Sequence, residues 1–115
     1  MKLKKPLLIK NFGAEERKIE EINIKKEDFT AKVIIDAEQN FLMSNGIFPT
    51  EGMHNSRKFL TFVLAELLEV RYDNLLELDG EDLISITDEI KNFFGASALE
   101  KIVEMFSVKQ GQSSL

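Results

Sequence analysis

The run from Phe59 to Leu68 is broken only by Glu66 in its apolar character, and it constrains this chain more than any other stretch. Read as a helix, with Asn55 or Ser56 as its cap, it places Phe59, Leu60, Phe62, Val63, Leu64, Leu67 and Leu68 over well over half of its circumference. Such a helix must be covered on most sides, either by the chain's own core or by a partner. It falls well short of the roughly 18 apolar residues that span a bilayer. The helix is followed by an acidic corner, Asp73 to Asp82, and by a second helix ending in Asn92-Phe93-Phe94-Gly95. Most of the apolar mass lies in this stretch.

A chain of 115 residues with 43% hydrophobic content supports one domain with a modest core. It contains no cysteine, which excludes disulfides, thiolate metal sites and cysteine nucleophiles. The net charge of −5 is unevenly placed: residues 1–26 carry eight Lys/Arg against four Asp/Glu, and the remainder seven against sixteen. A mainly acidic surface repels phosphate backbones, so nucleic acid is not an expected partner. Basic residues open the chain, but Pro6 and Lys10 leave no apolar signal-peptide segment. A cytosolic protein, in the host bacterial cytoplasm on the resemblance given below, is expected, with no membrane partner.

The order of elements predicts an α+β fold, mostly helical: an N-terminal β-hairpin followed by four to five short helices. Residues 3–10 suit a strand with Pro6 at an edge or bulge. Residues 17–25 suit a second strand, in which Ile22 and Ile24 share a face and Ile19 is out of phase. Two strands alone are marginal in water, so the hairpin must lean on the helices or on another copy. A helix capped by Asp28 then runs through Phe29, Val33, Ile34, Ala37, Phe41 and Leu42 as one inward stripe, and Asn45-Gly46 ends it. Residues 47–54, with Pro49 and Gly52, form a long loop. Asp73 is expected to cap a single helical turn, and Glu81 and Asp82 to open the next helix, lined by Leu83, Ile86, Ile90, Phe93 and Phe94. A last amphipathic helix over residues 97–107 carries Leu99, Ile102, Val103 and Phe106. The single domain is expected over 1–107, with 108–115 a disordered tail.

The sequence offers no pattern that chemistry requires. His54, in the Gly/Pro loop, is the only histidine, so a zinc site would rest on carboxylates. No serine sits in a Gly-x-Ser-x-Gly elbow. Placing Gly80 at the sixth position of a calcium loop puts Leu75 and Ile86 at the first and twelfth, where neither can ligate an ion. There is no Gly-x-Gly-x-x-Gly and no phosphate-binding loop. No cofactor or metal is expected, and no enzyme. Residues 66–90 hold nine acids and one base, Arg71, which reads as a solvated acidic rim or as a surface for a basic partner.

The succession of a proline-bearing strand (Leu3 to Ile9), a strand leading into a helix (Ile19 to Asp28), a hydrophobic helix, Val70-Arg71-Tyr72-Asp73-Asn74-Leu75-Leu76-Glu77-Leu78-Asp79-Gly80-Glu81-Asp82-Leu83 and a helix ending in Asn92-Phe93-Phe94-Gly95 resembles the tail assembly chaperones of long-tailed bacteriophages and prophages, in particular the Mu-like tail assembly protein group. The resemblance spans residues 3–95. The insert at 47–54 and the helix beyond 96 depart from it. It implies a non-enzymatic chaperone that coats the helical tape measure protein, keeps it soluble, helps recruit tail tube subunits and associates with itself. Excess apolar helix surface above an acidic rim is compatible with covering a helical client, and many weak copies along one client would gain by avidity.

Candidate partner contacts are Phe59, Phe62 and Val63 on the central helix and Leu99, Ile102, Val103 and Phe106 on the last, with membership of the ordinary core as the alternative for each. Two other functions fit the same residues. One is a structural tail or completion protein retained in the virion; the other is a small acidic regulator whose binding weakens steeply with salt.

Overall fold

The computed structural model describes residues 1–10, 16–47 and 52–95. Two antiparallel strands, β1 (Lys2–Ile9) and β2 (Arg17–Glu21), precede the helices α1 (Ala31–Met43), α2 (Arg57–Leu68), α3 (Tyr72–Leu75) and α4 (residues 80–95). The fold is the α+β, mostly helical arrangement expected from the order of elements. The expected helix over 97–107 and the tail 108–115 lie outside the described residues.

The hairpin resolves the phase conflict between Ile19 and Ile22. Leu7, Leu8 and Ile9 pair with Ile19, Lys18 and Arg17, but Lys2 pairs with Glu21, so the register slips by three residues between Lys2 and Leu7. An odd slip exchanges the two faces of a strand. Ile19 therefore lies opposite buried Leu7, while Ile22, just past the strand, exchanges both backbone hydrogen bonds with Met1 (2.8 and 2.9 Å) and is also buried. Pro6 falls inside the slipped segment, where no ladder bond needs its missing N–H.

Three helix boundaries differ from expectation, each for a local reason. Thr30, not Asp28, caps α1: its side chain accepts from Val33 N (3.3 Å), while Asp28 closes a 3-10 turn by accepting from Lys25 N (3.4 Å). At the other end Asn45, not Gly46, takes the left-handed conformation (φ 65°), which asparagine tolerates. Gly46 is required by space, because a Cβ there would lie 2.5–2.6 Å from the Phe41 ring. Arg71 occupies the N-cap of α3, with Asp73 inside its first turn. Ser56 caps α2 by accepting from Phe59 N (3.2 Å), and Asp79 caps α4 by accepting from Glu81 N (3.0 Å) and Asp82 N (3.3 Å).

α2 is the centre of the core. Phe59 to Ala65 are all buried, with Leu3, Leu7, Ile9 and Ile22 of the hairpin, Ala37 and Phe41 of α1, Leu75, and Ile86 and Ile90 of α4 in the same cluster. Each large side chain so buried stabilises the fold by about 1.5–3 kcal/mol. An aromatic chain threads this core: Phe29 stacks on Phe93 (centroids 3.8 Å), and contacts of 5.8–6.4 Å lead from Phe29 through Phe94, Phe59 and Phe41 to Phe62. Thr61 and Thr87, both buried, return their hydroxyls to Arg57 O (2.8 Å) and Leu83 O (2.7 Å) of their own helices, so neither is left unpaired.

Candidate partner-binding groove

The aromatic chain ends at the surface. Phe62 stacks on Tyr72 with centroids 4.2 Å apart and planes 8° from parallel. These rings form one wall of an open groove of about 490 Å³ where the C-terminal halves of α1 and α2 meet the start of α3. Met43 and Ser44 stand at its rim, Val70 and Ala65 line it, and Arg71 pairs with Asp73 (3.6 Å) beside it. Asn40 Nδ2 donates to Glu66 Oε1 (2.8 Å) and ties the two long helices together there. A second depression of about 470 Å³, which includes Lys32, Val33 and Asp36, adjoins the first through Ala65, Glu66, Val70 and Arg71. Its Lys32 ammonium is held above the usual lysine range, first by its hydrogen bond to Asp36 and then by that carboxylate's charge.

α1 also shows an outward apolar row, of which Met43 reaches the groove rim. Ile35 and Leu42 are 59% and 53% exposed, and Met43 and Ile47, at the end of the helix, are 75% and 86% exposed. Ile35 and Leu42 lie seven residues apart, two turns along the face opposite Ala37 and Phe41. The expectation that Leu42 belongs to the inward stripe is thereby corrected: at 3.6 residues per turn Val33, Ala37 and Phe41 fill the inward face, and Leu42 points the other way. The sequence carried the signal for this row in that seven-residue spacing. Nothing local marked Tyr72 as a groove wall, because its partner Phe62 is on another helix.

The sequence-predicted contacts divide into two groups. Phe59, Phe62 and Val63 are buried in the chain's own core, with only the rim of Phe62 reaching the groove, so Phe59 and Val63 offer no surface in this conformation. Leu99, Ile102, Val103 and Phe106 lie outside the described residues.

The charge asymmetry of the sequence is largely settled within the molecule. Lys4 pairs with Glu81, Arg57 with Asp88 (3.2 Å), and Lys5 and Lys10 share a surface depression with Asp73 and Glu77. The basic hairpin therefore lies against the acidic corner. Among the described residues no cluster of three or more His, Cys, Asp or Glu side chains could hold a metal ion, and no helix is long and apolar enough to cross a membrane. A groove of this kind can take up apolar side chains from a partner. Comparison with protein-family models, with curated proteins and with solved structures gives no significant match.

Proposed function

We propose that this chain is a non-enzymatic binding module that covers an apolar helix of a client. Following the order of elements it shares with phage tail assembly chaperones, we propose the tape measure protein as that client and tail assembly in the bacterial cytoplasm as the setting. One observation supports the binding role above others: Ile35, Leu42, Met43 and Ile47 stand exposed, Met43 on the groove rim, while α2, the most apolar helix, is already covered. An amphipathic client helix laid across this surface would bury its aliphatic side chains against the row and insert one into the groove. Tail tube subunits are the second proposed partner.

Co-expression with the tape measure protein, followed by light scattering, tests this. The expected result is a soluble complex holding several copies per client, lost on Leu42→Asp with Met43→Asp while the variant keeps its fold. A chain that leaves the client insoluble overturns the chaperone reading, and unchanged binding by the double variant overturns the surface. Mass spectrometry of purified virions should not find the chain; its presence there points to a structural tail component. Binding that vanishes in high salt points to an acidic regulator, a role that the internal pairing of Lys4 with Glu81 and Arg57 with Asp88 already weakens.

A further inference from the structure

We infer that the depression adjoining the groove seats a basic side chain of the client, one helical turn from the apolar side chain that fills the groove itself, and that Glu69 selects it. The inference rests on the binding role proposed above and names the chemistry that the partner brings.

Glu69 sits where the backbone does not favour it. It follows the last turn of α2 with φ 55° and ψ 47°, in the left-handed region. Its N–H donates to Glu66 O (3.2 Å) and that of Val70 to Ala65 O (3.0 Å), the paired bonds that close a helix through one left-handed residue. Glycine is the usual occupant of that position, because a side chain there crowds the following carbonyl. At the other left-handed non-glycine position the chain uses Asn45, a residue type that tolerates the conformation, and glutamate is not such a type. The charge is misplaced as well, since the C-terminal end of a helix carries partial negative charge and favours cations. Arg17 reaches this end from β2, but it donates to the carbonyl of Leu68 (3.2 Å). Among the described residues no donor and no cation meets the Glu69 carboxylate.

The other charged groups lining the two depressions pair off around it. Lys32 is held by Asp36 and Arg71 by Asp73 (3.6 Å), while the partner of Glu66 is the uncharged amide of Asn40. Glu66 and Glu69 are left with no cation in direct contact among the described residues, on the wall of an open depression of about 470 Å³. Ala65 and Val70 continue from the groove into this depression, so one apolar surface joins the two. A strained backbone under a misplaced charge is a local cost that folding does not require, and such costs gather at binding sites. A client helix that lays an aliphatic side chain against Phe62, Tyr72 and Val70 brings a lysine or arginine, one turn along, to Glu69 and Glu66. That cation also meets the carbonyl end of α2, so the charge that weakens the free chain favours the complex.

Two measurements on the full chain test it. In urea unfolding, Glu69→Gly and Glu69→Asn are expected to raise the folding constant about two- to fivefold, and Glu69→Gln, which keeps the strained backbone, to leave it within about twofold. A midpoint that rises in neither of the first two variants overturns the proposal. The binding probes are alanine-based helical peptides carrying Leu and Lys one turn apart on a single face, and the same peptides with Gln or Glu in place of Lys, titrated by calorimetry. The Lys peptide is expected to bind about fivefold more tightly than the Gln peptide, with the Glu peptide weakest, and high salt shrinks the difference. Glu69→Gln reduces the preference to less than about twofold, and Glu69→Lys reverses it in favour of the Glu peptide. Equal binding of all three peptides by the unsubstituted chain overturns the basic seat and leaves the binding role of the groove standing; binding of none overturns both. A preference for Lys that survives Glu69→Gln overturns the role of Glu69.

Discussion

Along the outer edge of β1 the donors of Lys4 and Lys10 end on Asp82 and Asn74, and Pro6 between them has no N–H to offer; among the described residues no strand lies along the outer edge of β2. Both edges belong to one short hairpin, yet one is sealed by side chains reaching from the α3–α4 corner and the other, among the described residues, presents a charged strand. Unpaired edges invite further strands, and proteins blunt them with proline, charge or covering groups. Here the first edge uses proline and covering groups. The second carries charge, in the run Arg17-Lys18-Ile19-Glu20-Glu21. A sealed edge should therefore register strongly in stability, and a charged, exposed edge weakly.

The largest expected effect is at Asp82. It is buried, and its carboxylate holds the N–H of Lys4 at 2.8 Å. Asp82→Ala leaves that donor without its charged acceptor and should lower stability by about 2–3 kcal/mol, seen as a lower urea midpoint at unchanged m-value. Asn74→Ala, which frees Lys10 N–H on the same edge, should lower it by about 1–2 kcal/mol in the same titration. A third change probes the proline itself. Pro6→Ala adds a donor in the slipped segment and loosens the unfolded chain, and should lower the melting free energy by roughly 0.5 kcal/mol. On the outer edge of β2 Lys18→Glu should move stability by less than about 0.5 kcal/mol. A large stability loss from Lys18→Glu would mean that β2 is covered within the monomer, and the contrast between the edges would collapse.

The same contrast shows how much was legible in the sequence. Glu81 and Asp82 could be read as the opening turn of α4, and both give their N–H groups to the carboxylate of Asp79 just before it. The interaction is local and residue type decides it. Asp82, by contrast, reads as an ordinary first-turn carboxylate. Its role depends on Lys4, seventy-eight residues earlier, and no periodicity connects them. The candidate surface divides in the same way. Leu42, next to Phe41, read as part of the inward stripe until its exposure placed it with Ile35 outside, and the burial of Phe59 and Val63 could not be separated from partner binding, because an apolar helix looks the same whichever body covers it.

By itself the sequence determined the kinds and order of elements, the central place of α2, and a cap immediately before it, because these follow from side-chain type and near-neighbour spacing. Only the tertiary structure decided the three-residue slip that lets Ile19 and Ile22 both turn inward, the side chains that close β1, the stacking of Phe62 on Tyr72, and the covering of α2 by its own chain. Each of those depends on residues distant in sequence meeting in one register, and that choice is made by the packing of the whole core.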